Sequence, residues 1–259
     1  MQVAAAAPVV GARGAARARR GRAPRYHGEV TPTLPAAVLW DMDGTLVDTE
    51  PYWMAAEKPL VESYGGTWSH EQALGLVGLA LEDSARLLQE AGVRLSTHEI
   101  IDTLTARVMA ALTEEGIPFR PGARELLADL RAAGVKTALV TMSMRRMATT
   151  VIDLMDFDAF DLIIAGDDAT RPKPFPDPYL QACAALGVAP ADVVAIEDSP
   201  NGLRSAVAAG TVSLGVPHMV SLTGVGASAL WPTLEGRLAH DIAELHTAHS
   251  AQIREDAAL

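Results

Sequence analysis

The chain has 259 residues, 49% of them hydrophobic, and a formal net charge of −11. That length can bury a large core and suits one domain with a substantial insertion, or two domains. No apolar run reaches the roughly 18 residues that suggest a membrane helix, and the single Cys183 excludes an intrachain disulfide framework, which fits a reducing cytoplasm. The charge is unevenly spread. Residues 1–28 hold Arg13, Arg17, Arg19, Arg20, Arg22 and Arg25 and no acid, so the remainder carries −17. An acidic body with no basic face predicts neither a nucleic-acid nor a membrane partner. The Ala/Gly/Arg-rich head has no helical or strand periodicity and predicts a disordered tail over residues 1–34. Its arginines follow the short apolar stretch instead of preceding it, so it is a poor secretory signal and the expected location is cytoplasmic.

The first regular element is the apolar strand Ala37–Trp40, bounded by Pro35 and ending at Trp40 or Asp41, because Asp and Gly are poor strand residues. Residues 50–116 read as helices. Ser69-His70-Glu71-Gln72 and Ser96-Thr97-His98-Glu99 each fit a capping box. Leu81, Ala85, Leu88 and Ala91 form one apolar stripe, and Ile100, Leu104, Val108, Ala111 and Leu112 form another, both with the helical period. Residues 117–122, Ile-Pro-Phe-Arg-Pro-Gly, read as a linker. From there helices and short apolar strands alternate. A helix carrying Ala123, Leu126, Leu127 and Leu130 precedes strand 135–141, and a helix over 145–155 precedes strand 161–165. A helix over 177–187, with Asp177 as N-cap and Pro178 at the first position, precedes strand 193–196. A helix from Ser199-Pro200 to Gly210 precedes strand 211–216, and a last helix is expected over 234–249. Such alternation predicts a parallel sheet covered on both faces. The expected organisation is an α/β core of residues 35–49 and 117–259, with a helical domain of residues 50–116 inserted after the first strand.

Four groups fall at or just beyond the C-terminal ends of predicted strands. They are Asp41 and Asp43, then Thr141-Met142-Ser143, then Lys173, and finally Glu197-Asp198. Singly they read as a turn, an N-cap, a surface lysine and a loop acid pair. Their recurrence at equivalent strand ends points to one shared site, since open parallel sheets gather ligands there. Carboxylates two residues apart repel unless a cation sits near them or one holds a proton. Mg²⁺ prefers carboxylate and carbonyl oxygens. A carboxylate can attack phosphorus to form an acyl phosphate, and a neighbouring carboxyl can act first as acid and then as base. A hydroxyl, backbone N–H groups and a lysine can hold the remaining phosphate oxygens.

In these motifs, from about Val38 to Val216, the sequence resembles the haloacid dehalogenase (HAD) superfamily, with all four family motifs in order. The resemblance implies a Rossmann-like core and a Mg²⁺-dependent phosphatase acting on a small phosphorylated metabolite through a phospho-aspartyl intermediate. It implies that Asp41 is the nucleophile and Asp43 the general acid/base, and that Thr141 and the N–H of Met142 bind phosphate. Lys173 would neutralise nucleophile and phosphate. The metal would be held by Asp41, the backbone carbonyl of Asp43, and Asp198, with Glu197 as a further acid. The insertion resembles the family's C1-type cap. Asp48-Thr49-Glu50, Lys173-Pro174-Phe175-Pro176-Asp177 and Glu197-Asp198-Ser199 are similar to the β-phosphoglucomutase-like phosphatases, which makes a sugar phosphate the first expectation for substrate. Oligomeric state is not legible, and a monomer stands as the default.

The chain also departs from that pattern. An acid at Asp43 favours phosphatase over dehalogenase chemistry. Where the mutases place cap cations for a second phosphate, this chain has Val77 and Leu81, and Trp53 replaces a mutase histidine. Hexose-phosphate interconversion is therefore the alternative and phosphate-ester hydrolysis the first expectation. A module that merely accepts and holds a phosphoryl group needs neither Asp43 nor an insertion of this size. Pro172 stands where glycine usually precedes the motif lysine. His246-x-x-His249 has metal-like spacing but reads better as a solvated helix face, and Arg145, Arg146 and Arg171 read equally as substrate contacts or surface charges.

Overall fold

The computed structural model describes residues 31–256. Strand β1 (Ala37–Trp40) is followed by helices α1 (Glu50–Ser63), α2 (His70–Leu74), α3 (Leu81–Glu90), α4 (Thr97–Glu115) and α5 (Ala123–Ala132). There follow β2 (Lys136–Val140), α6 (Arg145–Asp153), β3 (Leu162–Ile164), α7 (Asp177–Leu186) and β4 (Val193–Glu197). The series ends with α8 (Pro200–Ala208), β5 (Val212–Gly215), β6 (Ala229–Leu230) and α9 (Ala239–Asp256). The strands form one parallel sheet in the order β3-β2-β1-β4-β5-β6. The fold is the expected α/β sheet with a helical insertion after its first strand.

Strand β1 lies at the centre because all four of its residues are apolar and fully buried, as a strand covered on both faces requires. Side chains alternate across the sheet. Val38 and Trp40 join the larger core, which includes residues of the insertion, while Ala37 and Leu39 join a smaller core containing Tyr179 and Ala182. In register, Trp40 sits level with Leu139 of β2 and Ile196 of β4. The chain leaves β1, β2 and β4 at one level, which brings the residues after each strand together.

Helices α3 and α4 pack on each other, α1 packs on α4, and α5 lies on β2 and α9. Both predicted capping boxes are present: the Ser69 and Ser96 hydroxyls accept from the N–H groups of Gln72 and Glu99, whose side chains bond back. In the second stripe Ile100, Leu104, Val108 and Leu112 are buried, while Ala111 is only partly so. The insertion is attached by two adjacent strands of chain, where Asp48 N donates to Pro118 O at 2.7 Å and Val47 forms a bridge with Phe119.

Two expectations need correction, and one strand has no counterpart among the expected elements. Asp177 is not the N-cap of α7: Pro176 occupies that position, and the Asp177 carboxylate accepts two bonds from Arg171, at 2.9 and 2.7 Å, instead of capping. The last helix begins five residues later than expected, at Ala239, and runs to Asp256. Strand β6 has only two residues, and so gives no alternation to read. The tail expected over residues 1–34 lies outside the described residues as far as residue 30. Thr33 N donates to Thr247 Oγ1 of α9 at 2.9 Å. No helix among the described residues is long and apolar enough to cross a membrane.

Leu139→Ala, at a fully buried side chain of β2, should cost roughly 2–5 kcal/mol. Leu154→Ala, at a side chain 40% exposed, should change stability by about 0.5 kcal/mol or less. Urea unfolding of both variants checks the pair; equal losses would contradict the assigned core.

Candidate active site

Asp41 is the first residue past β1, and its N–H donates to Ile196 O at 3.1 Å, so the neighbouring strand holds it in place. The chain then turns tightly. The N–H groups of Leu46 and Val47 both donate to Met42 O, and Gly44 takes a φ of +82°, a left-handed conformation that favours glycine. The same turn explains the glycine a second way. A Cβ on Gly44 would lie 2.1 Å from Asp198 Oδ2, so backbone and carboxylate touch where any side chain would clash. Gly202 plays the matching part for Glu197, since its Cβ would fall 2.0 Å from Glu197 Oε2.

Lys173 reaches this end of the sheet with its side chain 4% exposed. Its Nζ donates to Asp41 Oδ1 at 2.7 Å and to Val140 O at 2.9 Å, and lies 2.6 Å from Glu197 Oε1. Pro172 does not keep it from the site. Tyr179 OH donates to the same Glu197 oxygen at 2.5 Å. The other Glu197 oxygen and Asp198 Oδ2 are buried with no hydrogen-bond partner, while Thr45 donates to Asp198 Oδ1 at 3.2 Å. Asp41, Glu197 and Asp198 place carboxylate oxygens within 4.8 Å of one another.

Three buried carboxylates therefore face one lysine. Burial and the neighbouring Glu197 push Asp41 up to about 7, even against the pull of Lys173. Burial, with Asp41 and Glu197 nearby, holds Asp198 well above the carboxylate range. Burial alone would lower Lys173, but Asp41 and Glu197 together hold it above its ordinary value. Without another cation the cluster keeps protons. Orphaned buried oxygens, oxygen-only donors and excess negative charge together fit a hard divalent cation.

Asp43 belongs to a second, hydroxyl-rich network. Its Oδ1 accepts from Thr49 Oγ1 at 2.5 Å and Trp53 Nε1 at 3.2 Å, and its Oδ2 from Ser143 Oγ at 2.7 Å and Thr141 Oγ1 at 3.3 Å. Thr49 is the N-cap residue of α1, but its hydroxyl serves Asp43 and makes no cap bond. Thr141 is therefore beside Asp43, and Met142 packs its sulfur against the Lys173 N–H at 3.3 Å. All the predicted site residues, Asp41, Asp43, Thr141, Met142, Lys173, Glu197 and Asp198, meet at the sheet's C-terminal edge. All but Glu197 line one cavity with residues of the insertion.

The weaker candidates lie elsewhere. Arg145 pairs with Asp168, Arg146 with Asp102 of α4 at 2.5 Å, and Arg171 with Asp177. His246 is buried, with its Nδ1 3.2 Å from Thr33 O, and belongs to no acidic or histidine cluster among the described residues. Cys183 is buried, and that burial raises its thiol to about 11, as a core residue should show.

Sequence reasoning missed Glu50 and Glu57, which line the cavity with Trp53. Their spacing of three and four residues along α1 places all three on one helix face, a signal available in the sequence but hidden among ordinary helix formers. Burial, with Asp43 nearby, pushes Glu50 up to about 8, and burial pushes Glu57 up to about 7 although Trp68 Nε1 donates to it at 3.0 Å. Between the ordinary 4.5 and about 8, the folded chain binds more protons at Glu50 than the unfolded chain does. Glu50 therefore destabilises the fold progressively as pH rises through that window, by an amount on the order of a few kcal/mol. Glu50→Gln should gain stability over the metal-free parent as pH rises from 4.5 to 8. A pH-independent difference in thermal unfolding would contradict this.

The family model described as haloacid dehalogenase-like hydrolase matches residues 38–216. Hexitol phosphatase B of Escherichia coli K12 is 34% identical over 191 residues, covering 72% of this chain and 86% of that protein. Phosphorylated carbohydrates phosphatase of Thermotoga maritima is 32% identical over 203 residues, covering 75% of this chain and 93% of that one. Among solved structures, CbbY of Rhodobacter sphaeroides in complex with phosphate superposes with a TM-score of 0.70 at 30% identity, covering 80% of this chain and all of that one. A mutant of the same protein holds xylulose-1,5-bisphosphate, with a TM-score of 0.70 at 29% identity over 78% of this chain and 96% of that one. The match spans every strand-end residue of the site, and the chain belongs to the haloacid dehalogenase-like hydrolases.

Proposed function

We propose that this protein is a Mg²⁺-dependent phosphatase that hydrolyses a small phosphomonoester, a sugar or sugar-alcohol phosphate, through a phospho-aspartyl intermediate. The observation that carries the reading is Asp41 at a strand end, paired with Lys173 and flanked by carboxylates with orphaned oxygens, two residues before a hydroxyl-bound Asp43. The relatives named for hexitol and carbohydrate phosphates support the substrate class.

Asp41 attacks phosphorus, forming an acyl phosphate as the bond from phosphorus to the ester oxygen breaks. Asp43 gives its proton to the leaving oxygen, then takes one from the water that hydrolyses the acyl phosphate and restores Asp41. Thr49, Thr141, Ser143 and Trp53 hold the Asp43 carboxyl in position between those transfers. Lys173 neutralises Asp41 and the incoming phosphate, and Thr141 and the Met142 N–H bind phosphate oxygens. Asp41, the Asp43 carbonyl and Asp198 would hold Mg²⁺, with Glu197 fixed behind them by Lys173 and Tyr179. When bound, the ion offsets the carboxylates' charge and polarises a phosphate oxygen. The helical insertion acts as a cap domain over residues 50–116 and excludes bulk water from the reacting end.

The mutase alternative needs a cationic grip on a second phosphate. Val77 and Leu81 line the cavity and supply none, and Trp53 is engaged with Asp43. Hydrolysis is therefore the better reading.

Phosphate release from p-nitrophenyl phosphate and a panel of sugar and sugar-alcohol phosphates should require Mg²⁺ and stop with chelator. Asp41→Asn should abolish it without loss of fold. Asp43→Asn should slow it by roughly 10²–10⁴-fold and let phospho-enzyme accumulate. An Asp41→Asn protein with a near-normal rate would overturn the nucleophile assignment.

A further inference from the structure

The cavity reaches beyond the reacting end into the insertion, where its wall is largely apolar: Leu76, Leu81, Ile100, Ile101 and Leu104. Two polar groups interrupt that wall. Glu57 is 5% exposed and stands one helical turn past Trp53, roughly 6 Å further along α1 from the residue that bonds Asp43. Among the described residues its carboxylate receives one protein hydrogen bond, from Trp68 Nε1 to Oε2 at 3.0 Å. Trp68 therefore fixes one oxygen and leaves the other with acceptor capacity. Ser84 of α3 is 9% exposed and lines the same cavity. Among the described residues, Lys173 is the one cation lining it, and Lys173 is already held by Asp41 and Glu197.

We propose that Glu57, fixed by Trp68, determines specificity by accepting a hydrogen bond from a hydroxyl on the unphosphorylated part of the substrate, with Ser84 as a second polar contact. The occupant is then a monophosphate whose other end is an uncharged, polyhydroxylated carbon chain. The inference rests on the phosphatase reading above for which end holds the phosphate. A buried carboxylate with an open oxygen favours a ligand that brings a donor and penalises one that leaves it unpaired. A second phosphate or a carboxylate in this chamber would find no free cation among the described residues and mostly apolar walls, which makes its burial unfavourable. The apolar walls suit the carbon backbone of the same ligand.

The test compares KM and kcat for a hexitol monophosphate and for p-nitrophenyl phosphate, which has no hydroxyl at its far end, in the parent, Glu57→Gln and Glu57→Leu proteins. Glu57→Leu should raise KM for the hexitol ester about tenfold more than for the aryl ester, with the loss confined to KM. Glu57→Gln keeps an acceptor oxygen and should recover part of the difference. Equal losses on both substrates would mean that Glu57 only supports the fold, and would overturn the proposal. Calorimetric binding of the hexitol monophosphate to Asp41→Asn, with and without Glu57→Leu, separates this inference from the phosphatase reading. Glu57-dependent binding without any turnover by the parent would sink the phosphatase reading and leave Glu57 in its role. Binding that ignores Glu57, or no binding at all, would overturn the role of Glu57.

Discussion

One buried lysine among three carboxylates is the constraint on which the site depends. Lys173 touches Asp41, Glu197 and the Val140 carbonyl at once, and so ties the ends of β1, β2 and β4 together. One cation cannot balance three buried anions. Burial, together with the negative charge left over, raises Asp41 to about 7 and holds Asp198 well above an ordinary acid. The fold supplies this arrangement cheaply. β1 is central, its neighbours are in register with it, and the side chains after each strand must converge.

Glycines set how tightly the acids can gather. Asp198 lies against the backbone of Gly44, and Glu197 against that of Gly202, at distances that no side chain would permit. The insertion closes on the core in the same way: a Cβ on Gly78 would lie 2.6 Å from the Ser199 Cβ, and Asn201 Nδ2 donates to Gly78 O at 3.2 Å. Arg146 of α6 adds an ion pair to Asp102 of α4. The cavity is thus built from two sources. Residues at the ends of the strands supply the reactive groups, and the insertion supplies the walls around the rest of the ligand.

Much of this was legible in the sequence, for physical reasons that can be named. Short apolar segments alternating with helical stripes require a two-sided parallel sheet, and strand ends are where polar groups converge. The two capping boxes located α2 and α4 because the cap geometry is written in adjacent residues. What was not legible depended on contacts across the chain. Asp177 looks like an N-cap, but Arg171 takes its carboxylate. Ser143 and Thr49 look like cap or turn residues, but both serve Asp43. Glu57 looks like a surface glutamate on an amphipathic helix, but in the fold it is buried and bonded by Trp68. Strand β6 is too short to carry a period and forms only because β5 offers an edge.

A divalent cation bound at the cluster of Asp41, Glu197 and Asp198 should displace the protons that the buried carboxylates otherwise keep. Calorimetric titration with Mg²⁺ at neutral pH, in buffers of different ionisation enthalpy, measures binding and proton release together. Binding should expel protons from the cluster, and Asp198→Asn should weaken binding and reduce the release. No binding, or binding with no proton release and no response to Asp198→Asn, would contradict it.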